Sequence, residues 1–137
     1  MSSGLPHWPP AALHRPHSVS DPAAAANLFL MLSMGHFVGD FGLQSDRMAR
    51  EKCPGHGVTL GWGWWITAHA GIHGFLVALV TGIPLLGLAE WIVHFLIDLG
   101  KCRHLWRLPM DQALHLLSKL LWALLAVGVA GGPGWFR

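Results

Sequence analysis

Four long apolar stretches dominate the chain, at residues 23–43, 62–81, 84–100 and 113–130, with 21, 20, 17 and 18 residues. Crossing the hydrocarbon core of a bilayer takes about 20 apolar residues, within a range of roughly 17 to 25. In lipid, backbone N–H and C=O groups have no water to bond, so a spanning segment must satisfy them internally. These lengths therefore predict helices over about 23–44, 62–81, 84–100 and 111–131. The tetrapeptide TGIP at 81–84 leaves almost no loop between the second and third, so those two must form a tight antiparallel pair. The expected architecture is all-α: an integral membrane four-helix bundle, antiparallel and up-down, over residues 23–137. A disordered Pro/His-rich tail, residues 1–22, precedes it.

Composition agrees. With 53% hydrophobic and only 12% charged residues, the 137-residue chain is too apolar for an ordinary soluble domain. A net charge of +2, with nine basic residues and no dense cluster among them, excludes nucleic acid as a partner. The tail has no apolar core of the kind a signal peptide needs, and its His7, His14 and His17 read as solvated.

The basic residues choose an orientation. Arg47, Arg50 and Lys52 lie in the first connection and Lys101, Arg103 and Arg107 in the third, while the second has none. Retained positive charge marks the cytoplasmic side, so loops 1–2 and 3–4 are expected there and both termini outside. Trp62, Trp64, Trp65 and Trp106 then fall at the cytoplasmic interface and Trp135 at the other. Cys53 and Cys102 read as free thiols; a bridge between them needs both loops on one oxidising side.

Ionisable residues inside spans are costly and mark function. Here they recur at one spacing: His36 and Asp40, His69 and His73, His94 and Asp98, Asp111 and His115, each four apart. Residues at i and i+4 stand one above the other on a helix face, the arrangement that lets one helix offer two ligands to one ion. Any one pair serves equally as polar glue between helices. With the helices antiparallel, however, all four pairs fall at the same cytoplasmic level, which favours a metal or proton site. Level helix ends would place Asp40, His69, His94 and His115 in one layer, His36, His73, Glu90 and Lys119 deeper, and Asp98, Asp111 and Gln44 nearest the cytoplasm. Glu90 and Lys119 read as a buried ion pair. Gly35, Gly39, Gly71 and Gly74 beside the first two pairs permit close helix approach. His56 and His104 read as solvated loop residues.

The stretches HFVGDFGLQSDRMAREK, HAGIH, HFLIDLGK and DQALH resemble a bacterial group of small multi-pass membrane proteins, the domain of unknown function 3307 family. The likeness covers roughly residues 30–120. By resemblance, His36, Asp40, Phe41, Gln44 and Lys52 match its first motif, and His69 and His73 its second. His94, Asp98 and Lys101 match the third, and Asp111, Gln112 and His115 the fourth. The resemblance implies a bacterial cytoplasmic membrane location and no established activity.

Imidazole and carboxylate ligands without thiolate suit a divalent metal, zinc first, with iron or manganese as alternatives. The metal ligands are expected among His36, Asp40, His69, His73, His94, Asp98, Asp111 and His115. These are too many for one four-coordinate ion, so either two metals are held or some carboxylates orient histidines. The leading expectation is a metal-dependent hydrolase acting on an ester, amide or phosphate linkage of a lipid or other membrane-associated substrate. Asp98 or Asp111 is the expected general base, and Lys101 or Gln44 the holder of a substrate oxygen. The alternatives are a metal-ion or proton transporter, which brings a homo-oligomer with it, and a haem-binding or purely structural membrane protein. The outer halves of the spans offer few polar residues for a transport path.

Overall fold

The computed structural model describes residues 22–130. Among them the chain is all-helical, with five helices: α1 (Pro22–Phe37), α2 (Asp46–Glu51), α3 (Trp62–Thr81), α4 (Pro84–Cys102) and α5 (Leu108–Ala130). A π-helical turn, Val38–Leu43, extends α1. The predicted tail, its histidines and Trp135 lie outside the described residues, except for Pro22.

α3 ends where the sequence demands it. Gly82 takes a left-handed φ of 70° and its N–H bonds the Ala78 carbonyl at 2.9 Å. That conformation suits glycine, which has no Cβ to clash. The Thr81 hydroxyl donates to the Val77 carbonyl at 2.7 Å and accepts from the Ile83 N–H at 3.2 Å. Pro84 then opens α4, where its missing N–H costs nothing. The result is a two-residue turn and an antiparallel α3–α4 hairpin. Gly74 and Gly87 bring its two backbones together: a Cβ on Gly87 would lie 2.6 Å from the Gly74 carbonyl oxygen. The Trp91 indole N–H ties the pair further, donating to the Thr67 carbonyl at 3.0 Å. α1 packs against α3 and α5, and α4 against α3 and α5.

Three helices are long and apolar enough to cross a membrane: Pro22–Leu43, Trp62–Thr81 and Leu108–Gly128. The sequence predicts four. α4, whose 19 residues carry Glu90, Asp98 and Lys101, is not among the three. The interior is divided. At one end Leu28, Leu32, Val77, Trp122, Ala123, Ala126 and Val127 form an apolar core. At the other, histidine, aspartate, glutamate and lysine side chains are buried, with Ile66, Ala70 and Ile97 among the apolar residues beside them. The outside is greasy along its length, with Leu30, Phe75, Leu85, Leu96, Leu117 and Leu124 all more than half exposed.

Two features of the connections depart from the sequence reading. The first connection contains α2, capped by the Ser45 hydroxyl, which accepts the Met48 N–H at 3.2 Å. Cys53 and Cys102 are joined in a disulfide, with a Cα–Cα distance of 5.2 Å, rather than free. Spacing in sequence, 49 residues, hides a proximity that arises because Lys52 and Cys53, just after α2, reach Asp98 and Cys102 at the end of α4.

Replacing Gly87 by valine forces side-chain atoms against the Gly74 backbone, which cannot yield. Thermal unfolding in detergent is expected to show a loss of about 1–3 kcal/mol. Gly63→Ala, where an added Cβ meets nothing within 4 Å, is expected to be near neutral.

Candidate metal centre

The four i, i+4 pairs project from α1 and its π turn, α3, α4 and α5 into one enclosed volume. His36, His69, His73, His94, Asp98, Asp111 and His115 are each at most 2% exposed, and the Asp40 side chain 11%. The π turn widens the backbone where Asp40 leaves it, a device frequent at functional sites. Gly39 in the same turn is packed against the His73 ring, which would collide with any Cβ there.

Three groups of ligand atoms form, each with all its atoms within 4.8 Å of one another: Asp40, His69, His73 and His94; His36, His94 and His115; and Asp98, Asp111 and His115. In the first, Asp40 Oδ1 lies 3.3 Å from His69 Nε2 and 3.2 Å from His73 Nε2. His69 Nε2 lies 3.3 Å from His94 Nε2. The layer scheme is thus modified: His73, not His115, completes the set with Asp40, His69 and His94. Gly39 admits the His73 ring to the level of Asp40.

Glu90 works below this group. Its Oε1 accepts from Lys119 Nζ at 2.5 Å and from His94 Nδ1 at 3.1 Å. Its Oε2 accepts from the Trp122 indole at 2.6 Å and the Ser118 hydroxyl at 3.3 Å. The ion pair expected from sequence is present, completely buried, and has a further consequence. A carboxylate bonded to Nδ1–H fixes the tautomer of His94 and leaves the Nε2 lone pair facing His69. Ser118, Trp122 and the tie to His94 were not legible from the spacing of Glu90 and Lys119.

Nearest the loops, Asp98 and Asp111 each meet a lysine through Oδ2. Lys52 bonds Asp98 at 2.7 Å and Lys101 bonds Asp111 at 2.8 Å. Gln112 links the groups: its amide N–H donates to Asp40 Oδ2 at 3.0 Å and Asp111 Oδ2 at 3.3 Å, and its oxygen faces His36 Nε2 at 3.2 Å. Lys52 and Gln112 belong to the matched motifs, but nothing in their spacing assigns these contacts. Gln44 Nε2 is buried without a hydrogen-bond partner among the described residues. His56 and His104 are exposed, as expected of loop residues.

Lys52 is positioned by the residue before it. One Glu51 oxygen accepts from the Thr59 N–H at 2.9 Å, the Thr59 hydroxyl at 2.7 Å, the Val58 N–H at 3.2 Å and the Trp65 indole at 3.1 Å. These donors, Thr59 first, lower the Glu51 pKa from 4.5 to about 2.

The donor set fits a divalent metal. Ligand atoms about 2.0–2.1 Å from a tetrahedral ion lie roughly 3.3–3.4 Å apart. Three of the six separations in the first group, at 3.2, 3.3 and 3.3 Å, match this spacing, and all six lie within 4.8 Å. Asp40 Oδ1 and His73 Nε2 are buried and have no hydrogen-bond partner among the described residues, despite their proximity. Buried polar atoms are rarely left so, and an ion between them satisfies both.

The fold and site define a small all-helical protein with an enclosed His/Asp cluster at one end. The chain belongs to the family described as protein of unknown function (DUF3307), whose profile matches residues 28–130. No curated protein and no solved structure matches it.

Two measurements check this construction. The Glu51 pKa is lowered on folding, so its contribution is complete above the unfolded value near 4.5 and is lost as pH falls toward about 2. Acid titration is expected to change Trp65 fluorescence and loosen the 52–60 loop in that window, and Glu51→Gln to abolish the step. Glu90→Gln strands the Lys119 ammonium and is expected to cost about 3–5 kcal/mol in chemical unfolding. Glu90→Gln combined with Lys119→Met is expected to recover most of it.

Proposed function

We propose that the protein crosses the bacterial cytoplasmic membrane four times as an up-down helix bundle and is a metal-dependent hydrolase of a membrane-associated substrate. α4 is the fourth span in this reading. Its carboxylates turn inward, with Glu90 fully buried and Asp98 2% exposed, while Leu85, Leu88, Ile92 and Leu96 on its outer side are at least half exposed. Arg47, Arg50, Arg103 and Arg107, in the connections at the cluster's end, favour that end on the cytoplasmic side.

The observation that carries the metal reading is the group Asp40, His69, His73 and His94, buried and spaced for one ion. Three imidazoles and a carboxylate suit zinc, with iron or manganese as alternatives. A divalent cation held there supplies Lewis acidity and makes water a nucleophile near neutral pH. The chain's own residues then position substrate and protons. Asp111 and Asp98 are the acid–base candidates; Asp111 Oδ1 is buried with no hydrogen-bond partner among the described residues. Lys101, about one-third exposed, lies at the loop side, where a lipid headgroup linkage is within reach. Gln44 offers an unpaired amide N–H for a substrate oxygen. The apolar core at the opposite end, from Leu28 to Trp122, provides no polar path across the membrane, which favours hydrolysis over transport.

Elemental analysis of detergent-purified protein tests the reading. Wild type is expected to hold near-stoichiometric metal and His94→Ala far less. Asp111→Asn is expected to keep metal and fold but lose turnover of ester and phosphodiester probes. Negligible metal in both wild type and His94→Ala would leave the histidines as helix-to-helix hydrogen-bonding groups.

A further inference from the structure

The group nearest the loops has a different chemistry from the inner one. Asp98 Oδ1 and Asp111 Oδ1 lie 3.8 and 3.7 Å from His115 Nε2. His115 is completely buried, and its Nε2 has no hydrogen-bond partner among the described residues. The lysines approach each carboxylate through Oδ2, so both Oδ1 atoms face the imidazole. Two carboxylates and one imidazole make a harder donor set than the inner group.

Charge decides when such a set can fill. The enclosed carboxylates are Asp40, Glu90, Asp98 and Asp111, and the ammoniums beside them Lys52, Lys101 and Lys119. With neutral imidazoles the cluster carries one negative charge, and one divalent cation reverses it. A second raises the net charge to +3 in a poorly solvated place, and only the loss of two ammoniums, Lys101 and Lys52, returns it to the +1 of the singly filled cluster. Lys101 is 35% exposed and can turn to water. Lys52 is 7% exposed and cannot, because the next residue, Cys53, is bonded to Cys102, four residues beyond Asp98 on α4.

We propose that Asp98, Asp111 and His115 form a second divalent-cation site, closed by Lys52 while the Cys53–Cys102 bridge is intact and opened when it is reduced. The proposal rests on the inner metal centre being real. A dithiol supplies two electrons and two protons to the bridge, leaving two thiols and becoming a disulfide itself. α2 is then free to draw Lys52 away from Asp98. On the cytoplasmic face proposed above such dithiols are abundant, so the bridge is reducible there rather than a permanent staple. In the closed state Asp98 and Asp111 handle protons; in the open state they hold the second cation.

Zinc stoichiometry by equilibrium dialysis and elemental analysis tests this without a substrate. Bridged wild type, verified by the absence of titratable thiol, is expected to bind one zinc per chain. Cys53→Ser/Cys102→Ser, which has neither bridge nor thiolate ligands, is expected to bind two. Lys52→Met is expected to bind two with the bridge intact. Adding His115→Ala to the double serine variant is expected to return the count to one. A second zinc in bridged wild type, or one zinc in both the double serine variant and Lys52→Met, would overturn the proposal and spare the inner centre. No zinc in any form would overturn both.

Discussion

Placing an ionisable group where water cannot reach it is costly unless a partner accompanies it, and nearly every feature at one end of this protein answers that cost. Glu90 is the clearest case. Its two oxygens accept from Lys119, His94, Ser118 and Trp122, so the carboxyl group is saturated and fixed. The ammonium of Lys119, 1% exposed, is neutralised at the same point. From that anchor the arrangement propagates upward. His94 receives its tautomer from Glu90 and turns a lone pair toward His69, which in turn lies beside Asp40.

This polar column explains why the helices close as tightly as they do. Ring stacking brings His73 to 3.7 Å and His115 to 4.0 Å from His94, centroid to centroid. Such contacts need backbones that approach closely, which Gly39 permits against His73 and the Gly74–Gly87 pair permits between α3 and α4. The apolar core at the other end packs mainly by shape, with its Trp122 indole reaching back to Glu90. At the cluster's end the usual soluble pattern is therefore reversed: polar residues enclosed, large apolar residues outward.

Much of this was legible in the sequence because helical geometry turns spacing into direction. His36, His69, His94 and His115 each have a polar partner four residues away, and a helix stacks such residues on one face. Antiparallel connection then brings the four faces to one level. The TGIP stretch at 81–84 leaves almost no loop in the sequence, and the structure turns there, with Gly82 ending α3 and Pro84 opening α4. What spacing does not encode is the departure from ideal helix and the contacts between distant segments. The π turn at Val38–Leu43 has no sequence signature beyond its glycines. Lys52 is 46 residues from Asp98 and Gln112 is 72 from Asp40, so their pairing is a product of the tertiary fold. Cys53 and Cys102 looked independent for the same reason. α4 looked like a span by length, while its three charges set it apart from the other long helices.

The central claim is that Asp40, His69, His73 and His94 are spaced for one ion. X-ray absorption at the zinc edge of the bridged, zinc-loaded protein measures that most directly. The account requires a first shell of nitrogen and oxygen alone at about 2.0–2.1 Å, with the outer scattering of several imidazole rings. A sulfur shell near ~2.3 Å, or a shell without imidazole scattering, would contradict it.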